Sequence, residues 1–105
     1  MDNVADILDA AADELECNGH TKNDLGTPDG PKCVTGAVFH VTNLDITDVP
    51  NVQGAFKALG DYLDLPKRHE WGGLELLEWN NAPERTAEEV IDAMRNTAKE
   101  LRNNV

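Results

Sequence analysis

Apolar positions recur at helical spacing in several segments of the chain, and this pattern predicts an all-α protein. In the first segment they follow each other at i, i+3, i+4, i+7 and i+11, which places them on one face of a helix; the residues are Val4, Ile7, Leu8, Ala11 and Leu15. Gly19 follows and supplies a helix stop. Residues 20–32 then contain two glycines and two prolines, which predicts a long loop before the next helix.

Residues 33–41 are rich in β-branched residues and fit either a helix or a buried strand. A helix is preferred because Pro31 suits a first turn and no second strand pattern offers a pairing partner. Gly36 would then mark a close contact between helices. Asn51 is the expected N-cap of the next helix, which Pro66 ends; its apolar face is formed by Val52, Ala55, Phe56, Leu59 and Leu63.

The C-terminal third predicts a short helical turn and one long helix. Residues 74–79 form the turn, with Leu74, Leu77 and Trp79 facing inward. Thr86 and Glu89 have the spacing of a capping box, which predicts a helix from Ala87 to about residue 102; its apolar face comprises Val90, Ile91, Met94, Ala98 and Leu101. Residues 1–105 are therefore expected to form a single small domain of about four helices with a long first inter-helix loop.

Acidic residues outnumber basic ones by 20 to nine, for a net charge of −11. Such a chain is not expected to bind nucleic acid or a membrane surface directly. No apolar run reaches the roughly 20 residues of a membrane span, and the first residues lack the positive charge of a signal peptide. We expect a cytoplasmic protein without a cofactor, in which both cysteines are free thiols. The pattern leaves the oligomeric state open.

The first predicted helix also carries a stripe of carboxylates on the face opposite its apolar residues. No basic residue on the same helix is placed to neutralise the stripe, which consists of Asp2, Asp6, Asp9, Asp13 and Glu16. Two interpretations stay open: a solvated surface, or a docking face for a basic partner. Lys67 and Arg68 form a cationic spot that could contribute to partner binding.

Candidate chemistry is sparse. Cys33 is the best nucleophile, because a helix N-terminus favours the thiolate, and His20 or His69 could approach it from loops. His40 lies seven residues further along the same helix, about 10.5 Å along its axis, and is too far away. Cys17 with His20 is an incomplete metal half-site, so neither a metal site nor a catalytic residue is predicted.

The stretch from Trp79 to Thr86 contains the densest local signals. Trp79 is expected to anchor the core, Asn80 and Asn81 to bond the local turn, and Pro83 to stop the chain. Arg85, the basic residue of the stretch, is expected to pair with an acid on a neighbouring helix.

Two motifs resemble those of an uncharacterised domain family found in actinobacteria and their phages. Residues 33–37 are similar to its Cys-x-x-Gly-Ala signature, and residues 79–86 resemble its Trp-Asn-Asp-x-Pro-x-Arg-Thr signature. Asn81 stands where the family pattern has Asp, so no carboxylate is available there for catalysis or metal binding. The resemblance implies an actinobacterial or phage origin but no activity.

These observations together predict a small acidic binding module, more consistent with a non-enzymatic protein than with an enzyme. Its acidic helix face would engage a host macromolecule, for which a protein is the expected class. Two alternatives are a nucleic-acid-mimicking inhibitor of a DNA-binding protein, and a thiol enzyme that uses Cys33 with a loop histidine.

Overall fold

A computed structural model of the protein describes residues 4–24, 26–42, 49–66 and 72–103, and these residues form five helices. The helices are α1 (Val4–Asn18), α2 (Val34–Val41), α3 (Val49–Tyr62), α4 (Gly73–Asn81) and α5 (Ala87–Asn103). Within this part of the chain there is no strand, only two isolated β-bridges in the loop between α1 and α2. The all-α prediction is confirmed. The helix number is five rather than about four, because the expected short turn is the nine-residue helix α4.

Helix α1 lies at the centre of the fold and packs against α5, α2 and α3. Four of the five residues of its predicted apolar stripe are buried, with Ile7, Leu8 and Ala11 fully inaccessible, and the fifth, Val4, is partly buried. The helix ends at the predicted glycine: Gly19 has φ +99°, and its N–H donates to Leu15 O at 2.9 Å.

Helix α2 confirms the choice of helix over strand. Cys33 is its N-cap and accepts a hydrogen bond from Gly36 N, while Pro31 lies ahead of the cap and not in the first turn. Residues 34–38 are all buried, because α1, α3 and α4 all pack against this helix. A helix covered on several sides can be apolar all round, which is why its sequence also resembled a buried strand.

Helix α3 begins earlier than predicted. It starts at Val49, so Asn51 lies inside the first turn and is not the N-cap. Pro50 is compatible with this start because a first-turn residue has no intrahelical N–H bond to lose. The predicted face is otherwise correct, since Val52, Ala55, Phe56 and Leu59 are buried and Leu63 is partly buried.

Helix α4 shows the clearest error of the sequence-based prediction. Leu74, which was expected to face inward, is 53% exposed, whereas Glu75, Leu76 and Asn80 are buried. The buried face is rotated because two of its three members are polar, and a pattern of apolar positions cannot detect them. In α5 the predicted face is correct at Val90, Met94 and Ala98, but Leu101 in the last turn is 36% exposed.

Backbone hydrogen bonds connect the two ends of the loop between α1 and α2. Thr21 N donates to Lys32 O at 2.9 Å, and Lys32 N donates to Gly19 O at 3.1 Å. Gly26 has φ +96°, and a Cβ at this position would lie 2.1 Å from Pro31 O. Only glycine fits there, so the course of the loop is defined by its own backbone.

No described helix is both long and apolar enough to cross a membrane.

Candidate functional site

The acidic stripe of α1 lies against two arginines of α5. Arg102 donates to Asp9 and, at 2.7 Å, to Asp6 Oδ1. Arg95 donates to Glu16 and, at 3.0 Å, to Asp13 Oδ1. Because the later arginine contacts the earlier carboxylates, α1 and α5 run antiparallel along this seam, which we call the α1–α5 ion-pair seam.

Helix α1 itself has no basic residue beside this stripe, as its sequence predicts. The cations come from α5, where Arg95 and Arg102 are seven residues, or two turns, apart. The sequence shows this spacing of the two arginines. It indicates ion pairs with the stripe only when one knows that α5 packs on α1. The hydrogen bonds that Arg102 donates to Asp9 first, and to Asp6 next, raise the pKa of Arg102 above its ordinary value.

The seam still has excess negative charge, with four carboxylates against two guanidinium groups. The four acidic side chains are 35–65% exposed, so solvent and other molecules can reach them. The other proposed partner-binding residues, Asp2, Lys67 and Arg68, lie outside the described residues.

Asn80 forms a buried junction between α4, α2 and the first loop. Its Oδ1 accepts from Val34 N at 3.0 Å and lies 2.7 Å from His20 Nε2. Since a backbone N–H can only donate, Oδ1 must face Val34, and His20 Nε2 must therefore carry a proton and donate. Asn80 Nδ2 donates to Thr21 O at 3.2 Å and to Asn81 Oδ1 at 3.0 Å.

The two asparagines were expected to bond a local turn, and this expectation was incomplete. Apart from the bond between them, their partners lie 46 to 60 residues away in the chain. Asn81 Oδ1 also accepts from Asn23 N at 2.8 Å. Lys22 Nζ adds a further tie by donating to Ala82 O at 2.7 Å. The amide pair thus fixes the first loop to the end of α4.

The predicted roles of Thr86 and Glu89 are confirmed. Glu89 N donates to Thr86 Oγ1, and Thr86 N donates to Glu89 Oε1, both at 3.2 Å. Arg85 also uses this carboxylate, with Nη1 to Oε2 at 2.8 Å, and that bond is the first cause of a lowered pKa at Glu89. Trp79 packs against the core, and Pro83 lies in the turn before α5.

Arg85 also contacts Trp79, in addition to the acidic residue with which it was expected to pair. Its guanidinium carbon lies 4.3 Å from the centre of the Trp79 ring, and its Nε donates to Trp79 O at 3.0 Å. The cation–π contact and the hydrogen bond explain why this tryptophan and arginine occur together in the stretch.

Cys33 is fully buried, whereas Cys17 is exposed. The Cys33 Sγ accepts from Gly36 N at 3.3 Å and lies 3.3 Å from Thr35 Oγ1. This thiol therefore caps α2 and is not open to a substrate. The groups that could hold a metal ion do not cluster in the described residues, where His20 is instead bonded to Asn80.

A buried ion pair, which the sequence did not reveal, joins the first loop to α1. Lys32 is 3% exposed, and its Nζ donates to Glu14 Oε1 at 2.6 Å, Gly30 O at 2.9 Å and Pro28 O at 3.0 Å. The hydrogen bond from Lys32 is the main cause that lowers the pKa of Glu14 below its ordinary value. His40 Nε2 lies 3.7 Å from the other carboxylate oxygen, Glu14 Oε2.

A cavity of about 200 Å³ lies beside this cluster, between the first loop and one face of α2. Its lining is mostly apolar, and it is formed by Gly26, Thr27, Pro28, Lys32, Gly36, Phe39 and His40.

The fold and these sites define a small helical domain in which the described candidate nucleophile is buried and the charged groups of the α1–α5 ion-pair seam lie at the surface. The chain belongs to a family of unknown function, DUF6197, whose model matches residues 1–100. No curated protein and no solved structure matches it.

Proposed function

We propose that this domain is a non-enzymatic interaction module that binds a basic protein through the α1–α5 ion-pair seam. The observation that carries the proposal is the set of four partly exposed carboxylates which two arginines hold in fixed positions. The resemblance to a family of actinobacteria and their phages supplies the setting, in which the module acts in the host cytoplasm.

The energetics of the seam are compatible with exchange of partners. Exposed ion pairs contribute only about 0–1 kcal/mol each, because solvent screens them and ordering the side chains costs entropy. A lysine or arginine from a partner can therefore compete for a carboxylate at little cost. The net charge of −11 also attracts a basic protein from a distance and accelerates its association.

The same geometry favours a protein partner over mimicry of nucleic acid. Mimicry needs a continuous row of negative charge, whereas Arg95 and Arg102 lie between the carboxylates of the seam. Burial of Cys33 likewise supports a binding role over thiol chemistry, since a nucleophile must reach its substrate.

Two sets of variants with opposite charge changes test the proposal. The first converts Asp6, Asp9 and Asp13 to Asn and Glu16 to Gln; the second converts Arg95 and Arg102 to Gln. Both remove the ion pairs, but the first lowers and the second raises the negative charge of the seam. In affinity capture from an actinobacterial lysate, the first set should lose the partners of the wild-type protein, and the second should retain or enrich them.

Lys57→Gln with Lys99→Gln is the matched control, because it removes two positive charges from exposed sites that lack a described ion pair. Circular dichroism establishes that each variant is folded. If both sets lose the same partners, the ion pairs matter only for structure. If neither set loses them, binding occurs elsewhere, and either result contradicts the proposed seam.

A further inference from the structure

The first inter-helix loop is longer and more firmly anchored than a connection requires. Loops longer than about 12–15 residues are mostly either functional or disordered, and residues 19–33 are held at both ends by backbone hydrogen bonds. A buried lysine adds a third anchor, since Lys32 Nζ binds Glu14 of α1 and two carbonyls of the loop itself. The loop is thus built to keep one shape against the helices.

That shape preserves the cavity between the loop and α2. Gly36, Phe39 and His40 lie at i, i+3 and i+4, so one face of α2 forms one wall and the loop forms the other. The Phe39 ring is fixed by an edge-to-face contact with Phe56, with ring centres 5.7 Å apart. The volume of about 200 Å³ is large enough for one aromatic ring, since an enclosed cavity of about 150 Å³ in another protein binds benzene. Here the cavity is open to solvent on the side of Thr27 and Pro28, which are exposed.

The polar groups of the cavity restrict the ligand further. The three N–H donors of Lys32 are already used, so the buried cation has none left for an anion. His40 is 38% exposed, and its Nε2 lies 3.7 Å from Glu14 Oε2, which is too far for a hydrogen bond, so the imidazole can still bond a ligand. The net charge of −11 also disfavours an anionic ligand.

We propose that this cavity binds a small neutral molecule with one aromatic ring and one hydroxyl or amino group. The ring packs on Phe39 and Pro28, and the polar group hydrogen-bonds the imidazole of His40. This site is separate from the α1–α5 ion-pair seam, so the two proposals stand or fall independently.

Phenol, toluene and benzoate are suitable probes, because they share a ring and differ in the polar group. In NMR titrations of the full chain, phenol should shift the signals of Gly36, Phe39 and His40 in a saturable manner. Toluene, which lacks the hydroxyl, should bind about 2- to 10-fold more weakly, as expected for one lost hydrogen bond. Benzoate should bind more weakly than phenol.

His40→Leu should weaken phenol binding by the same factor of about 2 to 10. It should not weaken toluene binding, because leucine keeps an apolar side chain in the cavity wall. Lys99→Leu, the same replacement of a polar side chain on α5 away from the cavity, should change neither. Absence of saturable phenol binding, shifts that map outside the cavity, equal phenol affinity in wild type and His40→Leu, or tighter binding of benzoate than of phenol would each overturn the proposal.

Discussion

Asn80 joins three separate segments of the described structure. Its side chain is fully buried and bonds α2, the first loop and the end of α4. Asn80→Ala leaves Val34 N–H and Thr21 O without these partners, and each unsatisfied buried group costs about 1–3 kcal/mol. We expect the free energy of unfolding to fall by about 3 kcal/mol in urea titrations.

Asn81→Ala is the milder comparison, because Asn80 keeps its bonds to Val34 N and Thr21 O. It removes one of the two acceptors of Asn80 Nδ2 and the bond that Asn81 Oδ1 accepts from the exposed Asn23 N–H. Water can replace that bond, so the expected loss is below about 1 kcal/mol. Equal losses in the two variants would show that the buried junction is not specific to Asn80.

The two cysteines should differ sharply in reactivity. Cys17 is exposed and Cys33 is fully buried. A thiol reagent such as Ellman's reagent should therefore modify one thiol rapidly in the native protein, and the second only after unfolding in guanidinium chloride. Cys17→Ser should abolish the fast phase. A fast phase that persists in this variant would mean that Cys33 is accessible, and would revive the thiol-enzyme hypothesis.

The Lys32–Glu14 pair should make stability dependent on pH. The Glu14 carboxyl has a lowered pKa in the folded protein, so its stabilising effect is complete above the unfolded-state pKa of about 4.3 and is lost as the pH falls through the folded-state pKa. Glu14→Gln leaves the buried Lys32 without this counter-ion and should cost about 3 kcal/mol at pH 7.

Thermal denaturation between pH 7 and pH 3 distinguishes the loss of the Lys32–Glu14 ion pair from other effects of the substitution at Glu14. The deficit of Glu14→Gln relative to wild type should shrink as the pH falls, because the wild-type carboxyl also becomes neutral. The double variant Glu14→Gln with Lys32→Met should be more stable than the sum of the single effects predicts. A deficit that is constant with pH would contradict the pairing.

At the scale of the helix, the capping box of α5 is a local device that the sequence alone identifies. Thr86→Ala removes the acceptor for Glu89 N–H and should lower the free energy of unfolding by about 1 kcal/mol. Glu88→Gln, in the same first turn, changes charge without touching the box and should cost less. Chemical denaturation of both variants checks this, and a larger loss for Glu88→Gln would contradict the assigned cap.

The capping box and the bonds of Asn80 differ in how far apart their partners lie in the chain, and this difference decides which of them the sequence could predict. Helix α5 begins where predicted because Thr86 and Glu89 are three residues apart and need no other segment. The face of α4 was misassigned because Glu75 and Asn80 are buried polar residues. The bonds of Asn80 reach residues 20, 21 and 34, and only the folded chain brings these near.

The cavity was beyond sequence reasoning for a related reason. Gly36, Phe39 and His40 share a helix face that periodicity can indicate, but the opposite wall is the loop at Gly26 to Pro28. That wall depends on the burial of Lys32, and lysine is among the residue types least expected inside a protein.

At the scale of the whole molecule, the distribution of charge decides how α1 and α5 stay together in an acidic protein. Arg95 and Arg102 place positive charge between carboxylates that would otherwise repel one another. Arg95→Gln with Arg102→Gln removes these ion pairs and makes the net charge two units more negative. At low ionic strength we expect a small loss in the free energy of unfolding, because each exposed pair is weak.

Salt should reduce this loss, since ions screen both the lost attractions and the added repulsion over about 8 Å at 0.15 M and about 3 Å at 1 M. Lys57→Gln with Lys99→Gln makes the same change in net charge without breaking the seam and should lose less stability at low salt. Urea titrations of wild type and both variants from 0.02 to 1 M sodium chloride make the comparison. If the two variants lose equal stability at every salt concentration, net charge alone explains the effect and the α1–α5 ion-pair seam contributes nothing of its own.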